Sequence, residues 1–366
     1  MRITQTDIYR LSIPMHPFTI ATGTMHTAQN VFIRLHCGDG VYGVGECSAF
    51  PMIVGETQDT CFALAKLFAS AWKGKDPADI PARMAELHAA VAFNSTVKSA
   101  FDMALYDLAA RLAGQPLYRF LGAAAKKTLE TDITVGIGDP LNMAAQAAAF
   151  KEKGFRIIKV KLGRDPAEDV ERIRLIREAV GPGQRIRIDA NQGWDYEGAR
   201  YALSALGKFD IEFCEQPMRY WDDHKLPALR QLSPVKIMAD ESVFDHHDAV
   251  RLLDAGACDY VNIKFSKSGG ILEALKIDEV CAARGIACMM GGMLESRLAL
   301  SAFAHFALAR PNIIFNDMDT CLLGHKEDPV MGGVSYRGCL VEVPDAPGIG
   351  ADIAGEYLAE MEKMSV

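Results

Sequence analysis

Phe155–Gly163, FRIIKVKLG, reads as a short buried strand: an apolar, β-branched run closed by a glycine. Two lysines, Lys159 and Lys161, stand near its C-terminal end. Residues i and i+2 of a strand point to one side, so both ammonium groups project into one space. A lysine is almost never fully buried without a partner, and neighbouring like charges each favour loss of a proton. A strand end where both lysines simply reach solvent explains the pair as well. The flanking sequence decides between the two.

Around this strand, from about residue 129, the chain alternates strand and helix. TDITVGI (131–137) is followed by a helix from about Pro140 to Lys153, and Asp165-Pro166 opens the next helix as N-cap and first turn. RIRIDAN (185–191), IEFCEQP (211–217), KIMADES (236–242), YVNIKFS (260–266), IACMMGG (286–292) and NIIFNDMD (312–319) follow, separated by helical segments. About eight strands at a repeat near 25 residues suggest a parallel barrel wrapped by helices. A doubly wound open sheet is the alternative. No G-x-G-x-x-G follows an early strand, so a dinucleotide fold is disfavoured.

Residues 1 to about 50 read as an antiparallel meander: ITQTDIYRLSI, NVFIRLHC and VYGVGEC, with turns at Gly38-Asp39-Gly40 and before Asn30. Residues 57–122 turn helical, ending at Gly114 with Pro116 beyond. The expected division is an α+β unit over 1–128, a barrel over 129–320 and a tail over 321–366 that returns to the first unit.

Composition excludes several classes. The 366 residues carry a net charge of −8 and 49% apolar side chains, with no basic stripe for nucleic acid. No apolar stretch approaches membrane-spanning length, and the start lacks a signal-peptide pattern. Nine cysteines without C-x-x-C spacing point to reduced thiols, and so to the cytoplasm.

Polar residues recur where the barrel strands should end: Thr134, Lys159 and Lys161, Asp189 and Asn191, Glu215, Asp240, Lys264, Glu295, Asp317 and Asp319. In a barrel those ends converge on one mouth. Asp189, Glu215 and Asp240 offer hard oxygens from three adjacent strands, with no His or Cys near, a donor set suited to Mg²⁺. A salt-bridge network with the lysines is the structural alternative, a poor stabiliser for its desolvation cost. Lys161 and Lys264 should face each other across the mouth. Metal plus opposed amines suits proton abstraction beside a carboxylate, with Lys159 helping to hold that carboxylate.

K-x-K (159–161), D-x-N (189–191), E-Q-P (215–217), A-D-E-S (239–242) and N-I-K-x-x-K-x-G-G (262–270) resemble the motifs of the enolase superfamily, in its muconate-lactonising subgroup. The superfamily's metal-stabilised ene-diolate chemistry is a worked case of tuned acid and base groups. The resemblance implies a (β/α)₇β modified TIM barrel with an N-terminal α+β capping domain completed by the C-terminal tail. It also implies one Mg²⁺ on Asp189, Glu215 and Asp240, and Lys161 and Lys264 as the catalytic pair.

Within the subgroup, Asp317-Met-Asp319, Thr134, G-G-M-L-E-S (291–296) and F-N-D-M-D-T (315–320) resemble dipeptide epimerases, in which the acidic pair holds the dipeptide's ammonium. This implies a substrate-binding set of Thr134, Lys159, Asn191, Glu295, Asp317 and Asp319. Pairing of Asp317 and Asp319 with an arginine is the plain alternative.

Residues 18–30 and 50–55 resemble the family's loops over the substrate. Epimerases acting on Ala-Glu place an arginine in the first, whereas Gly23 stands at about that position here. Phe18, Ile20, Met25, Phe50, Met52 and Ile53 suggest instead a small or hydrophobic second residue. The expected function is a Mg²⁺-dependent dipeptide epimerase working by 1,1-proton transfer through an enediolate. A lyase or cycloisomerase such as o-succinylbenzoate synthase shares the lysines, and a non-catalytic binding barrel is a further alternative. A mandelate-type racemase would need a seventh-strand histidine, and none lies between His247 and His305. Oligomeric state is left open, a homo-oligomer included.

Overall fold

A computed structural model describes residues 1–366, apart from the side chain of Asp39. The N-terminal sheet contains β1 (Ile3–Ile20), β2 (Gly23–Cys37) and β3 (Tyr42–Ser48), antiparallel in that order. Its first hairpin is longer than the sequence suggests. Phe18 pairs with Met25 and Thr19 with Thr24, so 18–30 is paired strand around a turn at Ala21–Thr22 rather than a loop starting before Asn30. Ladder hydrogen bonds here override the weak local signal of a Gly- and Thr-rich stretch.

Helices α1 (Pro51–Val54), α2 (Gln58–Trp72), α3 (Ile80–Ala90), α4 (Ser95–Leu112) and α5 (Leu117–Phe120) follow. Thr57 caps α2 reciprocally with Thr60. The long α4 lies directly on β3, and two glycines permit this. A Cβ on Gly45 would stand 1.9 Å from the Ala100 carbonyl oxygen, and one on Gly43 2.1 Å from that of Ala104.

After β4 (Leu129–Glu130) come eight parallel strands: β5 (Ile133–Val135), β6 (Ile157–Lys161), β7 (Arg185–Asp189), β8 (Ile211–Glu215), β9 (Ile237–Ala239), β10 (Tyr260–Ile263), β11 (Cys288–Gly291) and β12 (Ile313–Asp317). They neighbour one another in strict chain order, which excludes the doubly wound alternative, whose order reverses at a switch point. The ends meet where the Asp132 amide donates to the Asn316 carbonyl at 3.3 Å and the Met318 amide to Thr131 Oγ1 at 2.8 Å. Seven helices link successive strands: α6 (Pro140–Glu152), α7 (Pro166–Val180), α8 (Tyr196–Leu206), α9 (Leu226–Leu232), α10 (His246–Asp254), α12 (Ile271–Ala283) and α13 (Arg297–Ala309), with a turn of helix, α11 (Phe265–Ser268), before α12. Asp139 and Asp165 each cap their helix ahead of a proline. The architecture is a nearly closed (β/α)₇β barrel with an antiparallel sheet and helices before it.

The barrel floor is apolar. Phe213, Met238, Met289 and Phe315 fill it, with Phe213 and Phe315 rings 5.1 Å apart edge to face. Each such burial is worth about 1.5–3 kcal/mol. One cation sits among them: Arg187, packed on both the Phe213 and Phe315 rings at 5.3 and 4.9 Å.

Two buried carboxylates of α4 tie the parts together. Asp102 accepts from the Ile271 and Leu272 amides at 3.0 and 3.1 Å, capping α12 of the barrel. Asp107 accepts from the Val44 amide of β3 and the Ile349 amide of the C-terminal segment. The last strand, Lys363–Ser365, adds antiparallel to β1. Among the described residues no helix is long and apolar enough to cross a membrane.

Candidate active site

Parallel register sets the acids and lysines side by side: Lys161 is level with Asp189, and Asp189 with Glu215. Lys159 and Lys161 point into one space, as strand geometry requires. Their ammonium groups lie 3.2 and 2.6 Å from the same Asp189 Oδ2. Lys159 is wholly buried and also reaches Glu215 Oε2 and Asp317 Oδ2, both at 2.7 Å. At the other end of the row Lys264 Nζ is 2.8 Å from Asp240 Oδ2. Lys161 and Lys264 thus flank the acid row from opposite ends.

Asp240 is met from below by a lysine to which sequence reasoning gave no role. Lys267 Nζ lies 2.6 Å from Asp240 Oδ1 and donates to the carbonyls of Asp240, Val243 (3.0 Å) and Asn262 (3.1 Å). Gln216 ties two strand ends together, its Oε1 accepting from the Asp240 amide at 2.9 Å and its Nε2 donating to Ser242 Oγ at 2.8 Å. Asn191 and Gln216, both just beyond an acid of the row, hold left-handed φ values of 40° and 33°. Such backbone persists only where surrounding contacts over-determine it.

The charges are strongly coupled. Burial raises Glu215 to about 7, with Asp189 adding to the rise against Lys159. Burial also works against Asp189 and Asp240, but the lysines outweigh it and hold both low. Acids overcome burial at two of the lysines and hold them above the ordinary lysine value: Asp317, Glu215 and Asp189 at Lys159, and Asp240 and Glu215 at Lys264.

A second grouping is tighter. Oxygens of Asp132, Asp317 and Asp319 lie within 4.8 Å of one another, closer than those of the predicted trio. Its members have other partners: Asp317 accepts from Lys159, Asp319 from the Thr134 amide at 2.7 Å, and Asp132 from Arg187 at 2.9 Å. The arginine pairs with Asp132, not with the Asp317/Asp319 pair.

Both groupings offer hard oxygens, but the first fits a divalent cation better. Oδ1 and Oδ2 of Asp240 and Oε2 of Glu215 meet only lysine ammonium groups, at 2.6, 2.8 and 2.7 Å, which a cation could displace, whereas in the second grouping Asp319 is tied to a backbone amide and Asp132 to an arginine.

A small cavity of about 40 Å³ opens beside the row, bringing together Lys161, Thr134, Asp317 and Asp319. Its apolar walls are Met15, Phe18, Met293, Leu294 and Leu323. Of the six apolar residues expected there, only Phe18 lines it. Ile20, Met25 and Phe50 are buried in the core instead, and Ile53 packs against it. Met52 closes on Gly23, where a Cβ would meet its sulfur at 2.7 Å. Glu295 is not on the wall either. Its oxygens take the Met293 amide (2.5 Å) and Ser266 Oγ (3.3 Å), and burial raises it to about 7. Asn191 reaches Glu241 at 3.3 Å, behind the acid row.

With this geometry, likeness to known proteins becomes specific. Residues 3–122 match the mandelate racemase / muconate lactonizing enzyme N-terminal domain, and 142–357 the enolase C-terminal domain-like family. A D-Ala-D/L-Ala epimerase of Cytophaga hutchinsonii is 44% identical over 369 residues, covering all of both chains. The chain belongs to the dipeptide epimerases of the enolase superfamily. A hydrophobic dipeptide epimerase of Enterococcus faecalis is 38% identical, over 96% of this chain and 99% of that one. The dipeptide epimerase structure from Cytophaga hutchinsonii, complexed with Mg and D-Ala-L-Val, superposes with a TM-score of 0.98 at 43% identity, covering 100% of both chains.

Proposed function

We propose that this enzyme, an isomerase, inverts an α-carbon of a dipeptide by 1,1-proton transfer, with Mg²⁺ as cofactor. The observation that carries the reading is the pair Lys161 and Lys264 set at opposite ends of one carboxylate row. Asp189, Glu215 and Asp240 would hold the cation. Bound there, Mg²⁺ would offset the negative charge that holds Lys264 above the ordinary lysine value and draw electron density from the substrate carboxylate.

One lysine takes the α-proton and the other returns a proton to the opposite face. A proton taken and returned at one carbon leaves the connectivity unchanged, so the product is the epimer. Lys159 is fixed by Asp189, Glu215 and Asp317 and supplies positive charge where the enediolate develops its second negative charge. Asp317 and Asp319 take the dipeptide's ammonium, beside Thr134. Asn191 and Glu295 support the site from behind rather than from its wall.

The N-terminal unit over 1–128, with its hairpin tip and the 50–55 turn, acts as the cap over the barrel of 129–320, and 321–366 completes the cap. A small or hydrophobic second residue is supported by Met52 packed against Gly23 and by the apolar cavity wall. Nine free thiols, eight of them buried, support a reducing compartment, the cytoplasm. The test is a panel of L,L-dipeptides incubated in D₂O with Mg²⁺ and read by mass spectrometry and chiral chromatography. Single-deuteron incorporation with inversion is expected. Elimination or ring formation without exchange would assign a lyase instead.

A further inference from the structure

Asp132 has no part in the chemistry above, yet it stands at the ammonium end of the site with no surface exposed. One oxygen, Oδ2, is held by Arg187 at 2.9 Å, and Arg187 is itself packed against Phe213 and Phe315 and paired with Glu212 at 2.6 Å. The other, Oδ1, has no partner although buried. Asp132 belongs to the group whose carboxylate oxygens gather within 4.8 Å, with Asp317 and Asp319. Counting charge around that group, Lys159 serves Asp317 and Arg187 serves Asp132, while Asp319 has only the Thr134 amide. Neither cation is theirs alone, since Lys159 also serves Asp189 and Glu215 and Arg187 also serves Glu212, so the three buried acids are short of positive charge.

Resting on the dipeptide reading above, we propose that Asp132 is a positioning residue that completes the ammonium seat as a third carboxylate, acting through Asp319 and Asp317. It is anchored rigidly by Arg187 from the barrel floor, so its charge sits at fixed distance beneath the pair that touches the substrate. The seat therefore selects a free, primary ammonium at the first residue and rejects N-acylated or otherwise uncharged first residues. Burial and the Asp317 charge push Asp132 up to about 7 even against the pull of Arg187.

The test compares kcat/KM for L-Ala-L-Ala and N-acetyl-L-Ala-L-Ala at pH 8 with saturating Mg²⁺, in wild type, Asp132→Asn and Asp132→Glu. Removing one charge at this range in a buried site should cut the preference for the free amine on the order of tenfold, through KM more than kcat. Asp132→Glu keeps the charge but shifts it, and should fall between; it also carries the test if Asp132→Asn does not fold. A purely structural Asp132 would depress both substrates alike, and a preference unchanged within twofold in either folded variant overturns the proposal. Wild type acting on neither substrate would instead overturn the dipeptide reading. Wild type acting equally on both would overturn the ammonium seat as a whole.

Discussion

The acids at β7, β8 and β9 and those near β5 and β12 are all buried in one barrel, yet the cations set against them differ. The first row is met by four lysines: Lys159, Lys161, Lys264 and Lys267. The second is met by Lys159 and Arg187 alone. Lys159 touches both, so it couples them. Lysine is a point charge whose proton is negotiable, whereas arginine keeps its charge under all conditions. On the function proposed above, the first row suits proton traffic near a metal, and the second a fixed electrostatic demand.

Four changes would break or sharpen that contrast. Lys264→Ala should have the largest effect, lowering epimerisation by at least roughly 10³-fold while leaving dipeptide binding nearly intact; full activity in a D₂O assay would refute the assignment. Glu215→Gln should come next, weakening Mg²⁺ by roughly 100-fold, measurable by calorimetric titration. If metal binding were unchanged, the predicted trio would not be the ligand set. Asp319→Asn should raise KM for a dipeptide on the order of tenfold, with kcat changed little, because an ion pair of the ground state is lost.

The smallest effect concerns pH. The folded-state pKa of Asp132, about 7, lies above its unfolded value, so its contribution to stability is fully present below about pH 4 and is lost as pH rises toward 7. Wild type should therefore lose on the order of 2 kcal/mol relative to Asp132→Asn between pH 5 and 8. Loss of the Arg187 partner adds only a constant offset, so the slope from urea unfolding at each pH is the readout. Parallel stability curves would show Asp132 ionised throughout.

The barrel and the acid row were legible because each strand carries its own signal: a short apolar run ending in a charged residue, repeated at even spacing. Lys159 and Lys161 could be placed together from period-two geometry alone. Asp132 stood in the same alternation with Thr134, two residues away, but at the start of its strand, where polarity marks a solvated end as readily as a site. Glu295 was expected in the substrate-binding set, but its motif fixes position along the chain, not that its carboxylate turns to the Met293 amide. The hairpin at 18–30 escaped because its pairing partners are decided across the turn. Met15, Met293 and Leu323 converge only through tertiary contact.

Asp102 of α4 plugs the start of a barrel helix with both carboxylate oxygens buried and engaged. Lifting the whole N-terminal unit would strand that carboxylate and two amides without partners. A rigid-body hinge is thus the costly route, and on the proposed function admission of a peptide would fall to the hairpin tip at Ala21–Thr22 and the turn at Pro51–Val54, swinging like a latch on a door that stays bolted.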